Sequence, residues 1–340
     1  MPENRLLAAV DLGSNSFRLL IAPGEVSPQG PRVVPIESLR DGVRIADGLR
    51  SDGTLDEASR QRAFVALAAF GERLRSFSPE RVRAVGTSAL RVARNAQRFL
   101  RTAEAALGFP VEIVSGLEEA RLIYIGAAHA LPDDGETRLV VDIGGGSTEC
   151  IVGIGTEALA LESAGAGCVV LSNRRFAGGR ITDEAFDAAY YEARDAFAQT
   201  AASLGAHRWR YAVGTSGTAE SLWRIARAQW GADALDRESL MRTRAALLSS
   251  GDASSMQLAG LTPERRPVLA GGLAVMTAVF DELRIEPLRY CNGALRHGVL
   301  YDLLGRDAGD DMRVVTVEQL SRRYHIDARH AQRVHDTAPA

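Results

Sequence analysis

A glycine-rich segment that occurs twice constrains the fold of this chain more than any other feature. Residues 6–22 and residues 139–154 each contain an apolar run, a short polar turn and a second apolar run. Aligning Asp11 with Asp142 also aligns the glycines and serines that follow them. This pattern is typical of two strands joined by a tight turn. The repeat therefore predicts a chain that is built from two similar halves.

A second repeated segment supports this duplication. Val85–Ala89 and Val213–Gly217 both place a Gly-Thr-Ser sequence after a short apolar run and before a helical stretch. The distance between them is only three residues shorter than the distance between the two hairpins. A strand, a turn and a helix in each half indicate an α/β architecture. The length of the chain also suits two domains.

The remaining elements complete the predicted organisation. The two halves are expected at residues 1–128 and 129–305, with a polar turn near their boundary. Residues 306–340 are expected to form a polar linker and a short helical tail, because Thr316–Gln319 has the sequence of a helix capping box. Apolar spacing predicts the main helices at residues 54–76, 89–107, 182–204 and 268–283.

Composition excludes several classes of function. The chain has 340 residues, and all 40 of its lysine-plus-arginine total are arginines. Without lysine there is no Schiff-base chemistry, no P-loop nucleotide site and no protein-kinase catalytic lysine. A net charge of −3 disfavours general nucleic-acid binding, and no apolar run is long enough to span a membrane. Three cysteines without a CxxC pair indicate thiols in a reducing cytoplasm, and the six histidines show no metal-ligand spacing.

The two repeated turns have the composition of a phosphate site. Each begins with an aspartate at the end of an apolar strand and continues with glycines and small hydroxyl residues, which leave backbone N–H groups unobstructed. Such concave arrays of amides bind phosphate oxygens, and the aspartates supply the charge that a Mg²⁺ ion needs. A single tight hairpin also needs glycines, so the prediction depends on the pair. The residues concerned are Asp11, Gly13, Ser14, Asn15, Asp142, Gly144, Gly145, Gly146, Ser147 and Thr148.

The Gly-Thr-Ser turns provide further candidates. A helix N-terminus attracts anions, which makes Gly214, Thr215, Ser216 and Gly217 candidate phosphate ligands. Threonine and serine at such positions also serve as ordinary helix caps, and this alternative stays open. Arg91 is the arginine nearest to the first of these turns, and we expect it to contact phosphate.

Glu118 and Glu119 begin a further predicted helix. Adjacent helical residues point about 100° apart, so only one of the two can face a cleft. Acidic residues in a first turn also stabilise the helix dipole. The spacing alone therefore gives neither glutamate a catalytic role.

Taken in order, four of these segments resemble the exopolyphosphatase and guanosine pentaphosphate phosphohydrolase family. They are Asp11–Ser16, Ser115–Leu122, Asp142–Glu149 and Gly214–Thr218, and the resemblance covers about residues 5–305. That family belongs to the actin-like ATPase superfamily. The resemblance implies an α/β fold with two duplicated RNase H-like subdomains and a cleft between them.

The resemblance also implies an activity and roles for individual residues. The activity is hydrolysis of the terminal phosphoanhydride bond of inorganic polyphosphate with release of orthophosphate, dependent on Mg²⁺ and with a monovalent cation as a further candidate cofactor. By position, Glu119 matches the catalytic glutamate, Asp142 a metal-associated aspartate, and Glu149 an acidic residue near the metal and the water. Asp11 is a third candidate metal ligand. Arg91 matches an arginine near the polyphosphate path, the glycine-rich turns match phosphate-binding loops, and the expected assembly is a homodimer.

Three alternatives stay open from the sequence. Guanosine pentaphosphate is a second substrate for the same motifs. A sugar or acetate kinase of this fold would instead transfer phosphate from ATP, and a sensor would bind phosphate or a guanosine polyphosphate without hydrolysing it. Two departures from the family pattern are visible. Residues 313–340 resemble only the start of the helical C-terminal region of larger relatives, and His297 stands where many relatives have glutamate.

Overall fold

The computed structural model describes residues 6–27 and 30–308, together with residues 327, 330, 333 and 337. Within these residues the strands are β1 (Leu6–Leu12), β2 (Phe17–Pro23), β3 (Glu25–Ser27), β4 (Gly30–Arg32), β5 (Glu37–Asp41), β6 (Val82–Gly86), β7 (Val111–Ile113), β8 (Thr137–Ile143), β9 (Thr148–Ile154), β10 (Glu157–Ala164), β11 (Tyr211–Thr215) and β12 (Leu288–Tyr290). The α-helices of the same residues are α1 (Glu57–Leu74), α2 (Ser88–Val92), α3 (Ala96–Leu107), α4 (Gly116–Ala130), α5 (Cys168–Arg175), α6 (Asp183–Leu204), α7 (Ser216–Trp230), α8 (Arg237–Ser250), α9 (Arg266–Leu283) and α10 (Leu295–Ala308).

Two five-stranded sheets with the same topology form the framework. The first has the strand order β5-β2-β1-β6-β7, and the second has the order β10-β9-β8-β11-β12. In each sheet the first three strands of this order pair antiparallel, and the last three pair parallel. The strands β3 and β4 form a separate hairpin. The duplicated α/β architecture that the sequence predicts is confirmed.

The central strands are buried on both faces, which explains their continuous apolar sequences. Every residue of β6 is buried, and β8 and β9 are buried except at one end. A strand covered by helices on both faces has no exposed side, so its sequence does not alternate between apolar and polar residues. Both glycine-rich segments are hairpins of such strands, with four-residue turns at 13–16 and 144–147.

Two of the predicted helices differ from the observed ones. The helix expected at 54–76 begins only after Asp56, whose side chain accepts the capping hydrogen bond. The helix expected at 89–107 is divided into α2 and α3, because the chain between them turns at Asn95. The side-chain amide of Asn95 is fixed by two hydrogen bonds to the backbone of Leu55, at 2.9 and 3.0 Å.

The other two predicted helices are confirmed. α6 begins after Thr182, whose hydroxyl accepts a hydrogen bond from the Ala185 N–H at 3.1 Å. α9 begins two residues before the predicted start and ends at the predicted residue.

The helix α10 crosses back from the second half of the chain to the first. It packs on α4 and on β1 of the first sheet. The two helix backbones touch where they cross. A Cβ atom added to Gly298 would overlap the carbonyl of Leu122, and one added to Gly126 would overlap the carbonyl of Ala294. Glycine at both positions is therefore what allows this close approach.

Two predictions about organisation are not tested by the fold. The capping box at Thr316–Gln319 lies outside the described residues, and the boundaries of the halves stay predictions. Of the helices in the described part of the chain, none combines the length and the apolar character needed to cross a bilayer.

Candidate active site

The two hairpin turns face each other across a cleft between the halves. Gly145 lies so close to the first turn that an added Cβ would be 2.7 Å from the Cβ of Ser14 and 3.2 Å from the backbone N of Asn15. Residues of both turns line one cavity. The structure thus brings together the two turns that the sequence analysis paired.

Hydrogen bonds hold both turns in place. The Gly144 N–H donates to the Ser147 carbonyl at 2.9 Å and closes the second turn. The Ser14 hydroxyl accepts from the Ala89 N–H at 3.2 Å and joins the first turn to α2. A Cβ atom on Gly167 would overlap the backbone of the second turn, so this neighbour is packed directly against it. The amides of the turns are therefore fixed by the surrounding protein.

Equivalent positions in the two sheets carry opposite charges. In the second sheet Asp142 lies directly across from Glu149 on the neighbouring strand, so the two carboxyl groups share one face. The equivalent position in the first sheet is Arg18, which lies across from Asp11. Arg40 follows Arg18 on the next strand. One half therefore contributes two carboxylates, and the other contributes a carboxylate followed by two arginines.

Burial governs the ionisation of these carboxyl groups. It raises the pKa of Asp11 to about 6, although the charges of Arg296 and Arg18 act in the opposite direction. Burial also raises the pKa of Asp142. It raises the pKa of Glu149 well above its ordinary value, and neighbouring carboxylates add to this rise. Several buried carboxyl groups close together favour the binding of a proton or a cation among them.

A register difference between the halves gives Asp142 two hydroxyl partners. In the first half, Asp11 pairs with Val85, the valine of the repeated Val-Gly-Thr-Ser segment. In the second half, Asp142 pairs with Thr215, the threonine of that segment, so the register differs by two residues. The hydroxyls of Thr215 and Ser216 donate to Asp142 Oδ2 at 2.7 and 2.6 Å. Ser216 has a φ of 63°, a strained conformation for a residue other than glycine. In contrast, Oδ1 of Asp11 is buried without a hydrogen-bond partner among the described residues.

Glu119 reaches the cleft from the first turn of α4. Its Oε2 accepts a hydrogen bond from Nη1 of Arg91 at 2.7 Å, and the same nitrogen donates to the Val114 carbonyl at 2.9 Å. Burial raises the pKa of Glu119 to about 7, while the charge and hydrogen bond of Arg91 oppose that rise. Glu118 binds Arg121 instead. A carboxylate that titrates near neutral pH can accept a proton from water.

Among the described residues, three arginines line the cleft. They are Arg18, Arg265 and Arg296. Burial and the charge of Arg18 lower the pKa of Arg296 to about 10. Arg265 donates to the hydroxyls of Ser221 at 3.2 Å and Thr218 at 3.1 Å. Arg265 was not predicted as a site residue, because its Pro-Glu-Arg-Arg-Pro segment matches no motif. Like charges held together in a buried cleft favour an anion between them.

Some predicted residues line the cleft, and others lie behind its surface. Thr148 donates its hydroxyl to the Ala166 carbonyl at 2.6 Å, and Glu149 accepts from the Ser163 hydroxyl at 2.8 Å. His297 is half-buried, and burial and Arg296 lower its pKa to about 4. The predicted residues that line the cleft are Asp11, Gly13, Ser14, Asn15, Glu119, Asp142, Gly144, Gly145, Gly146, Ser147, Ser216 and Gly217. The predicted residues outside that lining are Arg91, Thr148, Glu149, Gly214 and Thr215.

The donor set suits a magnesium ion that shares its ligands with a substrate. Within the described residues, no three Asp, Glu, His or Cys side chains form a ready-made metal cage. Mg²⁺ is usually bound by only one or two carboxylates together with substrate phosphates and water. Oxygen donors of the required kind are the Oδ1 of Asp11, which is buried without a partner among the described residues, and the carboxyl groups of Asp142 and Glu149, which lie across from each other on neighbouring strands.

Comparison with known proteins gives the same family as the motifs. A model of the Ppx/GppA phosphatase family matches residues 26–307. An exopolyphosphatase from Cytophaga hutchinsonii superposes with a TM-score of 0.77 at 23% identity, covering 88% of this chain and 97% of that chain. An exopolyphosphatase-like protein gives a TM-score of 0.77 at 24% identity, with coverage of 88% and 99%. A Ppx/GppA family member from Aquifex aeolicus superposes with a TM-score of 0.70 at 24% identity, covering 89% of this chain and 98% of that chain.

These solved structures share the fold of this chain, and the family model extends over most of its length. The fold consists of two similar α/β subdomains with a cleft between them, as the sequence resemblance implied. This chain is therefore a member of the Ppx/GppA phosphatase family.

Proposed function

We propose that this chain hydrolyses the terminal phosphoanhydride bond of inorganic polyphosphate and releases orthophosphate. The observation that carries the proposal is the position of Glu119. This buried carboxyl group has a pKa of about 7 and lines the same cleft as the two facing glycine-rich turns. A base beside two amide cradles is the arrangement that attack of water on a bound phosphate requires.

The reaction divides between the base and the groups that bind charge. The Glu119 carboxylate accepts a proton from a water molecule, whose oxygen forms a bond to the terminal phosphorus. The bridging P–O bond breaks, and its electron pair stays on the oxygen of the shortened chain. Phosphoryl transfer needs little covalent help and much charge stabilisation. The amides of both turns and the guanidinium groups of Arg18, Arg265 and Arg296 provide that stabilisation.

Magnesium belongs to the proposal as a cofactor. Asp11, Asp142 and Glu149 are the residues that would hold Mg²⁺, which would neutralise phosphate charge as the bridging bond breaks. The hydroxyls of Thr215 and Ser216 fix the orientation of the Asp142 carboxyl group. We therefore expect phosphate release to stop when a chelator removes divalent cations, and to resume when Mg²⁺ is returned.

The decisive experiment compares phosphate release by the wild type and by Glu119→Gln on polyphosphate with Mg²⁺. We expect kcat to fall by at least about a hundredfold, the usual effect of removing a general base. Glu112→Gln is the matched control, because the side chain of Glu112 is 54% exposed and lies outside the cleft. An unchanged rate in Glu119→Gln would remove this residue from the mechanism.

The choice of polyphosphate rests on charge that continues beyond the cleft. Asn15 lines both the cleft and an adjoining cavity of about 880 Å³. Burial, together with the charges of Arg18 and Arg265 in the cleft, lowers the pKa of Arg40 in this cavity, so arginines of the two spaces are close enough to act on one another. Arg44 and Arg62 also line this cavity, and the carboxyl groups of Asp47, Asp56 and Glu264 offset part of the positive charge. A substrate that is anionic along its whole length suits such a path.

Guanosine pentaphosphate is the second candidate, because the motifs that resemble the family do not distinguish it from polyphosphate. Values of kcat/KM for long polyphosphate, short polyphosphate and guanosine pentaphosphate would separate the two. A clear preference for the nucleotide would replace the first proposal. ATP consumption that requires an added hydroxyl or carboxylate acceptor would indicate a kinase, and tight binding without phosphate release would indicate a sensor.

A further inference from the structure

A buried cluster of charged side chains packs against α4 outside the lining of the cleft. Asp302 of α10 accepts from Nη1 of Arg83 at 2.8 Å and from Nη2 of Arg121 at 2.6 Å. Glu118 accepts from Arg121 at 2.7 and 2.8 Å and from Arg83 at 3.3 Å. We call these four residues the Asp302 cluster. A fifth side chain, Glu112, binds Arg83 from the surface at 2.9 Å.

The cluster is too deeply buried to be an ordinary surface ion pair. The side chains of Asp302, Arg121 and Arg83 are 1%, 4% and 6% exposed. Taking such charges out of water is costly, and removal of one partner leaves the other uncompensated in the interior. Their hydrogen bonds also have a fixed direction, which the apolar contacts around them lack. The cluster therefore fixes the relative orientation of β6, α4 and α10.

Both helices of the cluster also carry residues of the cleft. Glu118 precedes Glu119 on α4, and adjacent helical residues point about 100° apart. Arg121 and Asp302 hold Glu118 on one side of α4, and this leaves Glu119 on the cleft side. Arg296, which lines the cleft, lies near the start of α10, less than two turns before Asp302.

The close packing of α4 and α10 acts together with the Asp302 cluster. Backbone contact at Gly126 and Gly298 brings the helices together, and the apolar side chains of Leu122, Val299 and Leu303 surround that contact. Because no Cβ fits at either glycine, this contact already restricts the rotation of each helix about its axis. The directional hydrogen bonds of Asp302 act on the same rotation by holding Arg121, and through it Glu118, in one place.

We propose that Asp302 is a positioning residue for the base. Through Arg121 and Glu118 it sets the rotation of α4 and thereby the place of the Glu119 carboxylate in the cleft. This inference rests on the proposed role of Glu119. Misplacement of a catalytic group by about 1 Å costs about a hundredfold in rate, so a remote residue that controls rotation has a measurable effect.

The test is Asp302→Asn in two backgrounds. In the wild-type background we expect kcat to fall by about tenfold or more while KM stays within about threefold, because binding by the turns is unaffected. In the Glu119→Gln background we expect no further loss of kcat, because the residue through which Asp302 acts is already absent. An equal loss in both backgrounds, or no loss in the first, would overturn the proposal.

Two further variants keep the test decisive. Glu112→Gln removes a surface partner of the same Arg83, and we expect kcat to stay within about twofold of the wild type. If Asp302→Asn does not fold, Glu118→Gln replaces it, since this side chain is 23% exposed. Full activity in a folded Glu118→Gln would then overturn the proposal. An inactive wild type, or a fully active Glu119→Gln, would instead overturn the proposed function, so the two failures are distinguishable.

Discussion

Replacement of Arg91 by glutamine tests whether this residue acts on the base or on the substrate. In the structure its guanidinium donates to Glu119, and it is outside the lining of the central cleft. Without this positive charge and hydrogen bond, burial acts on Glu119 unopposed. The pKa of Glu119 then rises further above its present value of about 7. We therefore expect Arg91→Gln to move the acid limb of the pH–rate profile to higher pH.

The size of the shift follows from the strength of the bond that is lost. A hydrogen bond to a charged group contributes about 1.5–3 kcal/mol, and one pKa unit corresponds to about 1.4 kcal/mol. The pKa should rise by about one to two units, to about 8 or 9. Because only the carboxylate accepts a proton, the rate at pH 7 should fall about five- to fiftyfold and recover as the pH rises above the new pKa.

The assay is kcat/KM for phosphate release between about pH 5.5 and about pH 9.5. Titration of the substrate is the same for both proteins, so the difference between their profiles reports on the enzyme. Arg98→Gln is the matched control, because Arg98 is an exposed arginine of α3, the helix that follows α2 in the chain. A loss of equal size at every pH would refute the reasoning and would return Arg91 to the predicted phosphate contact.

Two further predictions follow from packing and from burial. Gly167→Ala should lower kcat by about a hundredfold, the cost of a displaced cradle, because the added methyl overlaps the backbone of the second turn. Gly165→Ala is the control and should leave kcat unchanged, since an added Cβ there contacts nothing. Equal kcat values for the two variants would show that the second turn can shift without loss of activity. Burial raises the pKa of Glu119 from an unfolded-state value of 4.5 to about 7. The protonated side chain therefore contributes stability that is fully present below pH 4.5 and is lost as the pH rises through about 7. In urea unfolding, the free energy of unfolding of Glu119→Gln minus that of the wild type should therefore increase from pH 5 to pH 8, by up to about 3 kcal/mol. A difference that does not change with pH would contradict this.

The two sheets could be predicted because both halves of the chain contain the same local sequence patterns. Local patterns of apolar runs, glycines and hydroxyl residues mark each hairpin and each strand–turn–helix unit, and duplication reveals them by comparison of the chain with itself. The break between α2 and α3 was missed for a physical reason. It depends on Asn95 binding the backbone of Leu55, a contact between residues that are far apart in sequence.

The site was predictable where it consists of turns and not where it consists of distant side chains. Arg265 lies in a segment without a motif, and only the folded chain brings it beside the first half's Arg18. The pairing of Arg91 with Glu119 joins α2 to α4. The role of Asp302 depends on α10 returning to the first sheet. None of these contacts has a local sequence signal, because each is created by tertiary packing.

The exchange of Arg18 in one half for Glu149 in the other has a consequence for the direction of binding. A cleft built from two identical halves would offer an elongated anion two equivalent orientations, and a chain could enter from either side with the same energy. Opposite charges at matched positions remove that symmetry. An extended polyanion, the substrate proposed for this cleft, would therefore have one favoured orientation, with its tail on the arginine side. The divergence of this pair of duplicated positions thus contributes to a scaffold whose two similar halves would distinguish the two ends of such a ligand.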